Sequence, residues 1–216
     1  MPQPVKRRRY DNSRRVLAAA ERRRRILDAA AELFATRGYG ATRMSDIAAA
    51  AAVALDTIYE TVGTKPQLFR LMIETAISDT DEPVDVLDRG YIAELRAEPD
   101  PVAKLRIYAA ALTRIHARLA PLYLAARSLD GGDAELAEAW AAMHARRARN
   151  MPLLIEHLES TGALRPDLAT GEAADTVWAI NSTELYVLLR DQRHWTDQQY
   201  ASWLTRTLTT LLLDRN

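Results

Sequence analysis

Almost everywhere along this chain the apolar positions recur at the three-and-four spacing of an amphipathic helix. Ile26, Leu27, Ala30, Leu33 and Phe34 share one face of a segment reaching Arg37, and Gly38 supplies the residue that a helix C-terminus favours. Upstream, Pro2, Pro4 and the Lys6 to Arg9 run lack this periodicity. Residues 1–20 therefore read as a basic arm, flexible or helical, with Asn12 or Ser13 placed to cap the helix that reaches Arg37. A second, short helix spans Met44 to about Ala50, with Met44, Ile47 and Ala48 pointing inward and Thr42 or its neighbour as cap. Ala51, Ala52 and Val53 form a turn. A third helix runs from about Ala54 to Val62, Gly63 and Thr64 end it, and Pro66 suits the first turn of a fourth.

The fourth helix carries Leu68, Phe69, Met72, Ile73 and Ile77 until the acidic, proline-containing stretch Asp79 to Asp88 stops it. A short helix is expected over 91–97, and a longer one over 102–119 with Leu105, Tyr108, Leu112, Ile115 and Leu119 in one stripe. Pro121 is expected to open a separate helix through Leu129. Gly131 and Gly132 break the pattern, and Asp133 caps a helix to about Ser160 that Pro152 could kink. Helices over 171–190 and 197–213 complete the chain, the last capped by Thr196. No internal repeat is visible. The expectation is an all-α protein: the arm over 1–20, a three-helix module over 21–66, and a larger helical domain over 67–216.

Composition strengthens that reading, since alanine and leucine dominate while glycine and β-branched residues are sparse. Cysteine is absent, which rules out disulfides and thiolate sites and is compatible with a reducing cytoplasm, the expected location. Glu21 and Arg22 to Arg25 interrupt the weakly apolar Val16 to Ala20, so no secretory signal is expected. No uncharged apolar run approaches the ~18 residues of a membrane span, so no membrane partner is expected. The net charge of zero conceals an asymmetry: residues 1–70 contain 14 Lys and Arg against 7 Asp and Glu, leaving the remainder acidic by the same excess. A basic end on an acidic body suits a polyanion-binding head, although the Lys6 to Arg9 cluster alone is equally a solvated tail.

Residues 42–69, TRMSDIAAAAAVALDTIYETVGTKPQLF, have the layout of a helix-turn-helix DNA reader. Burying Ile47, Val53 and Ile58 against Leu33 and Phe34 leaves the other face of Leu55 to Thr61 for the major groove. Thr57 and Tyr59 offer hydroxyls for phosphates or base edges, Lys65 offers a point charge, and Arg43 and Ser45 are further phosphate candidates. Tyr59 has the alternative of packing under the module. Asp56 and Glu60 lie at i and i+4 on the same helix and would face a polyanion. Asp56 is read as solvated or paired with Arg43; Glu60 is either solvated or an acceptor from cytosine N4. Arg7 to Arg9, with Arg14 and Arg15, could add phosphate or minor-groove contacts.

Residues 26–69 resemble the DNA-binding domain of TetR-type transcriptional regulators. The resemblance rests on Ile26, Ala29, Ala30, Leu33, Phe34, Gly38, Tyr39, Ala41, Thr42, Ile47, Ala48, Ala51, Val53, Thr57, Ile58, Tyr59, Lys65 and Leu68. Ala52 stands where the family commonly has glycine, and Thr61 and Val62 where it usually shows an aromatic or His and then Phe. The resemblance implies a sequence-specific DNA-binding regulator, a repressor released from a palindromic operator by a small molecule. It also implies that Thr57, Tyr59 and Lys65 touch DNA, and that the last two helices join a homodimer. A helical ligand-binding protein or enzyme with a degenerate DNA-binding module is the alternative.

The body offers no catalytic constellation, so no enzyme, metal or cofactor is expected. His116, His144, His157 and His194 are scattered, and no Gly-rich phosphate loop or nucleophile elbow occurs. Polar and aromatic residues within apolar helices instead suggest a pocket: Tyr108, Leu112, His116, Tyr123, Trp140, Met143, His144, Trp178, Asn181 and Glu184. Asn181 and Glu184 are expected on one helix face. Val177, Ile180, Tyr186 and Leu189, with Trp203, Leu204, Leu208 and Leu211, either fill one subunit or, on the family precedent, meet a second copy.

Overall fold

Helix α1 (Lys6–Ala41) is the longest element of the computed structural model, which describes residues 6–78, 83–127 and 133–214, and of residues 6–13 the backbone alone. Pro2, Pro4, the side chains of Arg7 to Arg9, Asn12 and Ser13, and the Gly131-Gly132 break thus lie outside the described residues. No new helix starts at Asn12 or Ser13, because nothing after Pro4 interrupts the Arg- and Ala-rich sequence. Residues 14–20 are exposed on every side, and burial begins at Ile26. Gly38, at φ 76 and ψ 165, breaks the helical path near the end of α1, a conformation open to glycine.

Two short helices come next, α2 (Met44–Ala50) and α3 (Leu55–Val62), then α4 (Lys65–Ser78). Thr42 does not cap α2. Its buried hydroxyl turns back and donates to the carbonyls of Gly38 at 2.8 Å and Leu33 at 3.2 Å, while Arg43 takes the cap position and gives its N–H to Asp46. The core of this module is an aromatic triad in which Tyr39 sits 5.3 Å from both Phe34 and Phe69. Ile26, Ile47, Ile58 and Leu68 close around it, each fully buried.

A turn at Val86–Asp88 and helix α5 (Gly90–Ala97) lead to the central helix α6 (Pro101–Arg127). Contrary to expectation, α6 runs straight through Pro121. Leu119, Leu122 and Ala125 are all buried around it, so packing on both sides of the proline outweighs the one backbone bond it forfeits. Helices α1, α4, α5 and α10 all pack on α6. Lys104 of α6 is buried as well, its ammonium donating at 2.7 Å to the Leu95 carbonyl in the last turn of α5.

Asp133 caps α7 (Ala134–Glu159) through the N–H groups of Glu135 and Leu136, and Pro152 lies within that helix. The single helix expected over 171–190 is two: α8 (Thr170–Ile180) and α9 (Thr183–Val187), with a wide turn after them at Leu188–Gln192. Asn181 leaves the helical path and Ser182 caps α9 by accepting from the Leu185 N–H. The last helix, α10 (Asp197–Leu212), opens with a reciprocal cap between Thr196 and Gln199. Among the described residues there is no strand, only an isolated bridge between Leu164 and Leu213. No described helix is long and apolar enough to cross a membrane.

Ala52, between α2 and α3, adopts φ 53, in the region where a Cβ is strained. Replacing it with glycine removes that strain at the cost of some unfolded-state entropy. Ala52→Gly is expected to stabilise the chain by about 1 kcal/mol, raising the thermal midpoint by about 2–4 °C. A midpoint that stays or falls in calorimetry refutes the strain.

Candidate functional site

The head presents one polar face. On α3 the apolar Ile58 and Val62 are buried, whereas Leu55 is 39% and Tyr59 48% exposed, and Asp56 and Glu60 are also exposed. Tyr59 therefore does not pack under the module. Thr57 is half-buried, its carbonyl accepting from the Thr61 hydroxyl at 2.6 Å, which turns Thr61 back onto its own helix. Arg43 and Ser45 are exposed at the start of α2. Asp46, rather than Asp56, meets the local cation: its carboxylate accepts from the Arg43 backbone N–H and lies 3.7 Å from the Arg37 guanidinium. Lys65 opens α4 with its ammonium 4.1 Å from the centre of the Tyr39 ring, which fixes a long side chain at the edge of this face. Partial burial lowers the Lys65 pKa and raises that of Tyr39, and Asp133 at the start of α7 raises both.

In the body, α6 brings Tyr108, Leu112 and His116 to one cavity that is partly open to solvent, and Asn181 closes one wall. These four were expected in a pocket and share one. Tyr123, Trp140, His144, Trp178 and Glu184 do not line it. Trp140, His144 and Trp178 form a ladder with ring separations of 6.2 and 6.0 Å, continued by Tyr123 at 5.7 Å from Trp140. Tyr123 and Glu184 border an open surface groove with Leu185 and Leu188 instead. Met143 is core. Asn181 and Glu184 do not share a helix face, because the chain breaks between α8 and α9.

The break has an electrostatic cause. His116 Nε2 lies 2.7 Å from Asn181 Oδ1 and Nδ1 lies 3.2 Å from the Thr183 hydroxyl, while Asn181 Nδ2 donates to the Tyr108 hydroxyl at 2.9 Å. A neutral imidazole with its proton on Nε2 satisfies the set. Arg147 of α7 then donates to the freed carbonyls of Trp178, at 2.7 Å, and Asn181, and stands 3.1 Å from His144 Nδ1. His144 in turn faces Glu184 at 3.5 Å, a hydrogen bond that lowers the Glu184 pKa to about 2. Arg147 was missed in sequence. Its only signal was an arginine on the His144 side of α7, and nothing local distinguished it from the neighbouring Arg146 and Arg149. Arg89, Arg146 and Met151, which also line the cavity, were missed for the same reason.

Residues 26–72 match the family described as bacterial regulatory proteins, tetR family. Among solved structures, the chain is similar to native NalD of Pseudomonas aeruginosa, described as the secondary repressor of the MexAB-OprM multidrug efflux pump. The TM-score is 0.67 at 22% identity, over 90% of this chain and 98% of that one. It is similar to SmeT in complex with triclosan, at a TM-score of 0.68 and 17% identity, over 90% and 93% of the two chains. A putative transcriptional regulator of Saccharomonospora viridis in complex with choline gives 0.63 at 19% identity, over 89% and 98%. Among curated proteins no sequence match is found.

Burial lowers His116 to about 4 from an ordinary value near 6.5; the Asn181 hydrogen bond opposes the shift and Arg147 adds to it. Between those two values the unfolded chain holds a proton that the folded chain refuses. Folding stability is therefore fully present above pH 6.5, falls with pH, and levels off below about 4, a loss of roughly 3 kcal/mol from this group. Urea titrations from pH 7 to 4 should show a shallower pH dependence for His116→Gln than for the wild type. Parallel curves would contradict the neutral assignment.

Proposed function

We propose that this protein, a TetR-type regulator by its N-terminal domain and its overall fold, represses transcription by binding a palindromic operator as a homodimer and leaves it when a small molecule fills the body cavity. The observation that carries this reading is the division of α3. Ile58 and Val62 anchor the helix while Leu55, Asp56, Tyr59 and Glu60 face outward beside Lys65. We assign Thr57, Tyr59 and Lys65 to phosphates and base edges, with Arg43 and Ser45 holding the backbone at the start of α2. Asp56 and Glu60 are exposed acids on this face, so they lower non-specific affinity, and Glu60 is the one we assign to cytosine readout. The head is taken as residues 21–66 and the body as 67–216, in the cytoplasm.

Dimerisation is argued from the surfaces that α8, α9 and α10 leave outside. Val177, Tyr186, Leu204 and Leu208 are buried within the subunit, whereas Trp178, Leu188 and Leu211 are at least 36% exposed. Pairing these faces would hold two α3 helices about 34–36 Å apart, one DNA turn. The cavity is wired to both ends. Arg147 lines it and holds the end of α8, and Arg146 lines it and binds Glu74 of α4 at 2.8 Å. Glu74 lies in the same helix as Lys65, about 13 Å along its axis. A ligand that draws either arginine away therefore acts on helix α4 or on the dimer face, shifting the population away from the DNA-binding spacing.

Selection of bound sequences from a random duplex library should yield a palindrome, with the protein sedimenting as a dimer. Tyr59→Ala with Lys65→Ala should weaken binding at least about tenfold, and Lys65→Ala alone should reduce the log K against log salt slope by about one. A chain that selects no sequence and binds duplex DNA independently of salt is not a regulator of this kind.

A further inference from the structure

The cavity's charge is one-sided. Arg89, Arg96, Arg146, Arg147 and His157 line it, and among the described residues no aspartate or glutamate does. Two of these are already engaged, Arg146 with Glu74 and Arg147 with the α8 carbonyls, and burial together with Lys104 and Arg96 disfavours a charge on His157. Arg96 is exposed. Arg89 is different, being 91% buried, with its Nε out of water and without a hydrogen-bond partner. Among the described residues no carboxylate pairs with it. A cation withdrawn from water with nothing to compensate it is unfavourable unless an anion completes the site. The other walls are aliphatic, with Ile92, Leu95, Leu112, Ile115, Leu119 and Leu154 between the helices.

Resting on the reading of this cavity as the effector site, we propose that the effector is an amphipathic anion. Its apolar body lies along the aliphatic walls of α5, α6 and α7, and its carboxylate or phosphate head is held by Arg89 at the start of α5. The Tyr108, His116 and Asn181 groups do not supply the charge recognition. Their hydrogen bonds are satisfied within the protein, and His116 is neutral. A guanidinium mostly withdrawn from water gives an anion its attraction at a reduced desolvation cost, whereas a cationic ligand meets repulsion from the arginines of this lining.

Calorimetric titration of the full-length protein with decanoate, decyl phosphate, decanol and decyltrimethylammonium tests this. At least one of the two anions should bind about tenfold or more tightly than decanol, the advantage of one charge-assisted contact, and the ammonium should bind worst. Arg89→Met, which keeps the bulk and removes the charge, should erase the anion's advantage and leave decanol unchanged, while Arg89→Lys retains part of it. Which anion prevails assigns the head as carboxylate or phosphate. Decanol equal to both anions in the wild type overturns the proposal alone, and that comparison stands even if Arg89→Met is unstable. Leu112→Trp should fill the cavity and abolish binding of every probe. If no probe binds the wild type, or if Leu112→Trp leaves binding intact, the cavity reading falls together with this one.

Discussion

Everything in the body depends on the burial of α6. A helix packed by α1, α4, α5 and α10 keeps only a narrow stripe for water, through Arg106, Ala110, Arg114 and Arg118, so each polar group on its buried faces must find a partner inside the protein. Lys104 reaches the end of α5, Thr113 turns back to the Ala109 carbonyl, and Tyr108 and His116 take Asn181 and Thr183. The apolar residues between them hold the helix together even across Pro121.

Satisfying His116 and Tyr108 has a price on the neighbouring helix. Asn181 meets both only by leaving the path of α8, and the break strands carbonyls that Arg147 then occupies. The same arginine borders the cavity and touches His144, which holds Glu184 at the start of α9. Cavity, helix break and outer face of α8 and α9 are thus one connected arrangement. Any occupant that competes for Arg147 or Arg146 acts on the end of α8 or on α4. That geometry suits control by binding energy alone.

The head is organised differently. Its stability comes from a dry aromatic and aliphatic core around Phe34, Tyr39 and Phe69, and Lys65 is seated on this core through the Tyr39 ring. Asp133, at the first turn of α7, lies near enough to both groups to shift their titration. Head and body consequently share an electrostatic contact as well as helix packing.

Most of the head was legible in the sequence because its signals are local. The contrast of buried Ile47 and Ile58 with exposed Tyr59 and Glu60, the breaks at Gly38 and Gly63, and, in the body, the cap at Thr196 each depend on residues within a turn or two of them. The all-α class and most helix positions came from the same periodicity. Tertiary structure alone decided where α8 ends, that α6 passes Pro121, and which of the ten polar, aromatic and aliphatic body candidates converge. Tyr108, Leu112, His116 and Asn181 meet at the cavity, Met143 joins the core, and Tyr123, Trp140, His144, Trp178 and Glu184 face elsewhere. Partners such as His116 and Asn181 lie 65 residues apart, and an arginine such as Arg89 looks like any surface cation until its surroundings are folded around it. Periodicity specifies which side of a helix is buried; only the packing of distant helices specifies what each buried polar group meets.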